Sequence, residues 1–89
     1  MRSYTTPAFW KAYDRLEHTV QKQARRANRQ FEENPRHPSL RFKKVHATER
    51  IYSVRIDRDH RALGVRDDGD IVWFWIGAHD EYERLFSRL

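Results

Sequence analysis

The chain has 89 residues, no cysteine and only three glycines, Gly64, Gly69 and Gly77, which excludes a second domain, a disulfide framework and a glycine-rich phosphate loop. Lys and Arg outnumber Asp and Glu 18 to 13, and the excess is carried by residues 1–50, with 12 basic against 5 acidic side chains, while residues 51–89 hold 6 against 8. Met1–Pro7 has no apolar run of the signal-peptide kind and no stretch approaches the roughly 20 apolar residues of a membrane span, so the expectation is one soluble, cytoplasmic domain over residues 1–89.

Thr6-Pro7 reads as a helix start, an N-cap hydroxyl followed by proline at the first helical position. Phe9, Tyr13, Leu16, Val20, Ala24, Ala27 and Phe31 then recur at spacings of three and four, the period of an amphipathic helix. A hairpin of two helices is expected, breaking near Glu17-His18-Thr19 with Thr19 capping the second, and ended by Asn34-Pro35 and Pro38. After Ser39 the period changes to two: Leu40, Phe42 and Val45 point one way, Arg41 and Lys43 the other. In Ile51–Asp57, Tyr52, Val54 and Ile56 form one face and Ser53, Arg55 and Asp57 the opposite one. Asp68-Gly69 joins the runs His60–Asp67 and Asp70–Gly77 as a tight hairpin. The run Ile71–Ile76 is apolar on both faces and belongs in the interior of a sheet. Asp80, with Glu83 three residues on, reads as the cap of a short helix through Leu85 and Phe86. The predicted fold is α+β: an N-terminal helical hairpin packed on one face of a small antiparallel sheet, then a short C-terminal helix.

Five residues could carry chemistry. Arg55 sits on a strand opposite a core face, and its planar fork of donors matches phosphate oxygens; it could equally be a surface arginine paired with Asp57. Arg61 opens the next strand behind His60, and parity alone leaves open which face each takes; a bulge at Asp59-His60 would resolve it. His79 ends a buried strand where the chain enters a helix, and Tyr82 can share a helix face with it. An imidazole there can exchange a proton near neutral pH, or it can merely end a strand while Tyr82 packs on the sheet. His79 and Glu83 are spaced i, i+4, but no second His, Cys cluster or acidic triad accompanies them, so neither a metal nor another cofactor is expected. The basic side chains, chiefly Lys22, Arg25, Arg26 and Arg29, then Arg36, Arg41, Lys43 and Lys44, suit nucleic acid or an acidic protein, and also the bland role of a solvated face.

Taken in order, the basic helical hairpin, the Pro35–Lys44 approach to the sheet, Tyr52-Ser-Val-Arg-Ile56, Asp59-His-Arg-Ala-Leu63, the acidic Asp67-Asp-Gly-Asp70 turn, and Ile76-Gly77-Ala78-His79 with Tyr82 resemble the RelE/ParE superfamily of toxins from bacterial type II toxin–antitoxin systems. That resemblance implies a ribosome-dependent mRNA endonuclease, with Arg55 and Arg61 on the scissile phosphate, His79 or His60 as the base, and Tyr82 orienting substrate. Lys22, Arg25, Arg26, Arg29, Arg41, Lys43 and Lys44 would hold RNA or the ribosome. It also implies a cognate antitoxin as partner. Two departures stand out: Ser53 occupies a position where some nucleases carry a second basic residue, and little chain follows Tyr82. Two other functions accompany the same resemblance: inhibition of DNA gyrase, or a non-toxic module that only binds its antitoxin.

Overall fold

Thr6 takes the extended conformation expected of an N-cap, and its Oγ1 accepts from the Phe9 N–H at 3.2 Å, with Pro7 in the first helical turn. The computed structural model describes residues 1–87, so the last two residues of the expected domain lie outside it. The elements are β1 (Ser3–Thr5), α1 (Pro7–Asp14), α2 (His18–Glu33), a single 3-10 turn (Pro38–Leu40), β2 (Lys43–Lys44), β3 (Ile51–Arg55), β4 (His60–Asp67), β5 (Asp70–Ala78) and α3 (His79–Ser87). The helical hairpin forms as expected, but Thr19 is not its second cap. Helix α2 begins at His18 behind Glu17, whose side chain makes no capping bond. No helix among the described residues is long and apolar enough to cross a membrane.

Strands β2 to β5 form the expected antiparallel meander, and β1 adds a parallel strand on the far side of β5, giving the order β1-β5-β4-β3-β2. This strand is short and polar, and it has no periodicity to betray it. It is held by Ile71 N–H to Arg2 O at 2.9 Å and Thr6 N–H to Trp73 O at 3.1 Å. With both sides paired, the apolar β5 lies inside the sheet as its sequence requires.

One face of the sheet receives the hairpin. Phe9, Ala24, Ala27 and Phe31 pack there on Val54, Ala62, Ile71, Trp73 and Ile76. The register along β4 shifts between Leu63, opposite Trp75, and Gly64, opposite Trp73, leaving Phe74 as an extra residue on β5. The bulge is therefore in β5, not at Asp59-His60. It returns both strands to phase so that Ala62 and Ile76 stay in the core while Leu63 and Trp75 share the other face. That second face is not bare: Leu63 is 0 % exposed and Ser53 2 %, and α3 folds back against β4 and β5.

Candidate nucleic-acid interface

The site is built at one end of this second face. Arg55, the last residue of β3, lies directly opposite Arg61, and Arg61 lies opposite Gly77 of β5. Lys43 stands opposite Ser53 on the same face, whereas Lys44 pairs with Tyr52 and belongs to the other. Strand β3 stops at Arg55, two residues short of the expected end, because the chain turns at Ile56–Asp59. That turn aims its carbonyls at Arg61. Nη1 donates to Asp57 O at 2.8 Å and to His60 O at 2.9 Å, with Arg58 O at 3.4 Å, and Arg55 Nε reaches Asp57 O at 3.4 Å. Among the described residues the hydrogen bonds of Arg61 engage Nη1, and Nε and Nη2 are further donors that match an anion.

Burial, followed by the charges of Arg55 and Arg41, pushes the Arg61 guanidinium below its ordinary value, against the opposing pull of Asp57 and Tyr82. Arginine remains protonated regardless, so the partly buried guanidinium keeps its charge beside that of Arg55. Among the described residues no Lys or Arg lies within 4.0 Å of a carboxylate, and the two ion pairs involve His60 and His79. A phosphate oxygen would supply the missing charge in a setting where charge-assisted bonds are strong.

His79 heads α3 directly after β5, its backbone N–H donating to Asp59 O at 2.7 Å. The helix thus starts at His79, and Asp80 sits inside the first turn with Glu81, favourable to the helix dipole but not a cap. The His79 ring stacks on Tyr82 with centroids 5.4 Å apart and planes 20° from parallel, and Nδ1 lies 3.7 Å from Glu83 Oε1. Arg61 pairs with Gly77 and His79 follows two residues on, so His79 and Tyr82 lie at the arginines' end of the sheet. The structure therefore gathers Arg55, Arg61, Tyr82 and His79 at one end of the sheet.

His60 goes elsewhere. It alternates with Arg61 along β4 and borders a cavity of about 330 Å³ with Leu16, Val20 and Ile76, on the hairpin side. Its Nδ1 lies 2.9 Å from Asp57 Oδ1, which also accepts from the Asp59 N–H at 2.9 Å. This pair braces the turn under Arg61.

The basic side chains of α2 do not act as one patch. Lys22, Arg25, Arg26 and Arg29 are all exposed, but Arg26 borders a groove of about 360 Å³ together with Arg55 and Arg58, whereas Arg25 and Arg29 border the groove toward α1. Arg58 is a member that sequence reading missed; its place in a turn carries no periodic signal. Trp75 is another. A Cβ on Gly77 would come within 2.6 Å of the Trp75 ring, so the indole lies across Gly77 beside Arg61. No group of three or more His, Cys, Asp or Glu among the described residues could hold a metal ion.

A sequence model of the ParE-like toxin domain matches residues 18–84. The chain belongs to the ParE-like toxin family. The matched span takes in both arginines, His79 and Tyr82. No curated protein matches the sequence. Among solved structures, this ParE-like toxin is similar to a chain of the RelB–RelE antitoxin–toxin complex from Methanococcus jannaschii, with 12 % identity over 93 % of this chain and 98 % of that one and a TM-score of 0.76. It is also similar to the YoeB/ParE toxin from Agrobacterium tumefaciens (16 %, 89 % and 99 %, TM-score 0.69). The RelBE2 toxin–antitoxin complex from Mycobacterium tuberculosis provides a third likeness (13 %, 88 % and 96 %, TM-score 0.71). At these identities the likeness is one of fold: an α+β toxin fold with a mixed five-stranded sheet.

Proposed function

We propose that this ParE-like toxin cleaves mRNA on the ribosome and is held inactive by a cognate antitoxin. The observation that carries the reading is the cross-strand pair Arg55–Arg61, free of carboxylate partners and locked on turn carbonyls, at the end of the sheet where His79 stacks on Tyr82. In the proposed reaction His79 takes the proton of a 2′-OH, and that oxygen attacks the adjacent phosphorus. Arg61 and Arg55 neutralise the charge growing on the phosphorane oxygens, the usual source of large rate gains. The P–O5′ bond breaks, the departing oxygen takes a proton from solvent, and the products are a 2′,3′-cyclic phosphate and a 5′-hydroxyl. The antitoxin reading is supported by the likeness to chains solved as antitoxin–toxin complexes and by the unpaired basic surface, which suits an acidic segment.

The test is to map RNA 5′ ends after adding purified protein to a defined translation reaction, with ribosome-free mRNA alongside. New ends confined to translated message are the expected result. Intact message in both tubes from a folded protein removes the nuclease reading and makes DNA gyrase the target to assay. Arg61→Ala should cut the cleavage rate by about 10²-fold or more, the loss typical of a lone transition-state donor, with unchanged circular dichroism. Retained cleavage in that variant would take Arg61 out of the mechanism.

A further inference from the structure

A second set of cations lies away from Arg55 and Arg61. A cavity of about 450 Å³ is bordered by Arg36, His37, Arg41, Phe42, Tyr52 and Arg66, and no carboxylate lines it. Tyr52 belongs to the hairpin-facing side of β3, and Arg66 lies five residues beyond Arg61 on β4, about 16 Å along the strand. The cavity therefore opens at the other end and on the other side of the sheet.

Its polar groups are donors. The Arg66 guanidinium sits over the Tyr52 ring, 5.6 Å from the centroid, which holds it in place without consuming its N–H groups. His37 Nδ1 accepts from the Ser39 N–H at 3.2 Å, so the neutral ring carries its proton on Nε2 and remains a donor there. Arg41 ends the 3-10 turn at the edge of this cavity in the left-handed conformation (φ 45°, ψ 43°), but its charge acts on Arg61, so its guanidinium belongs to the other end of the sheet. Neither Arg36 nor Arg66 has a carboxylate within 4.0 Å among the described residues. Beside them Phe42 and Tyr52 stack, centroids 4.9 Å apart and planes 24° from parallel, as an apolar wall. Unneutralised guanidiniums next to a flat aromatic surface match a group that is anionic at one end and planar at the other.

We propose that this cavity is a second phosphate site, taking a phosphate carried by a nucleotide, with Arg36, His37 and Arg66 as its donors and the Phe42–Tyr52 pair as the wall for the attached base or sugar. The nucleotide is either a unit of an RNA strand or a free nucleoside diphosphate. The site is separate from the proposed cleavage centre and is tested by binding, so a failure of the nuclease reading leaves it standing.

The experiment is an amide NMR titration of the full chain with pyrophosphate. Saturable shifts confined to residues 36–42, Tyr52 and Arg66 are expected, and Arg66→Gln and Arg36→Gln should each weaken binding about five- to tenfold, the worth of one charge-assisted contact. Arg36 is exposed, so its substitution leaves the fold intact should Arg66→Gln not. Absence of saturable shifts at these residues, or affinity unchanged in both variants, overturns the proposal. Competition then separates the sources. Displacement of pyrophosphate by an uncleavable 2′-O-methyl oligoribonucleotide, with a salt slope reduced by about one in Arg66→Gln, assigns the site to an RNA strand. Displacement by ADP but not by the oligonucleotide assigns it to a free nucleotide. Displacement by neither overturns the nucleotide part of the proposal.

Discussion

Gly64 lies where β4 crosses the bulge, and a Cβ there would stand 2.7 Å from Trp73 Cε3 and 2.8 Å from Ile71 Cγ1. Both neighbours are buried core, so neither can step aside freely. Gly64→Ala is expected to cost about 1–3 kcal/mol, the usual penalty for overpacking, read as a lower urea midpoint at unchanged slope; an unchanged midpoint would show that the indole yields. Asp57 offers a different test. Its burial opposes ionisation, but the His60 hydrogen bond, the Asp59 N–H and the His60 charge outweigh that and hold its carboxyl below the ordinary value. A carboxyl depressed in the folded state adds stability above its unfolded value, and that stability is lost as pH falls through the folded one. Asp57→Asn should therefore lower the melting temperature at neutral pH, and the gap from wild type should close as pH drops below the ordinary carboxylate range. A gap that stayed constant with pH would mean that the pair contributes no ionic stabilisation. Neither of these residues could be ranked from sequence: Gly64 reads as an ordinary strand glycine, and the partner of Asp57 is found only once the turn is folded.

At the scale of elements, the local signals that succeeded are those whose physics is local. Thr6-Pro7 caps α1 because a hydroxyl three residues before an N–H finds it in any context. Thr6→Ala should cost about 1 kcal/mol, a drop of roughly 4–8 °C in a domain of this size, measured by thermal melting. Thr19 and Asp80 have the same residue types as caps but are helical themselves, since α2 starts two residues earlier than a Thr19 cap would set it and β5 runs straight into α3. There the His79 N–H is already bonded by Asp59 O, so no side chain is needed to satisfy it. Strand β1 failed for the opposite reason. Its pairing with β5 spans nearly the whole chain, and three residues are too few to show a period.

Across the whole molecule the positive charge is partitioned. Arg26 and Arg58 join Arg55 around one groove, Arg25 and Arg29 flank α1, and Arg36 and Arg66 border the cavity at the far end. Arg26→Gln should then reduce the log–log salt slope for a short RNA by about one, while Arg25→Gln changes it little, because only a cation beside the bound strand releases a counterion. Equal effects from both would mean that RNA crosses the α2 surface indiscriminately. The second face also ends in an apolar row, Tyr4, Val72, Val65 and Ile51, opposite one another across four strands. Tyr4 is 47 % and Val65 41 % exposed, so the face runs from apolar at one end to cationic at the other.

What the sequence determines by itself is what nearest neighbours decide: two amphipathic helices, a change of period after Ser39, a hairpin at Asp68-Gly69 and a basic first half. These follow from caps, spacing and turn chemistry over a few residues. The tertiary structure alone decides which face each side chain meets. The extra residue at Phe74 lets Ile71 and Trp73 share the core face with Ile76, and so separates them from Trp75 on the face of Arg61. Strand alternation sends His60 to the hairpin side while His79 joins Tyr82 and the arginines. One residue of register reverses every side chain in a strand, and register is set by partners distant in the chain.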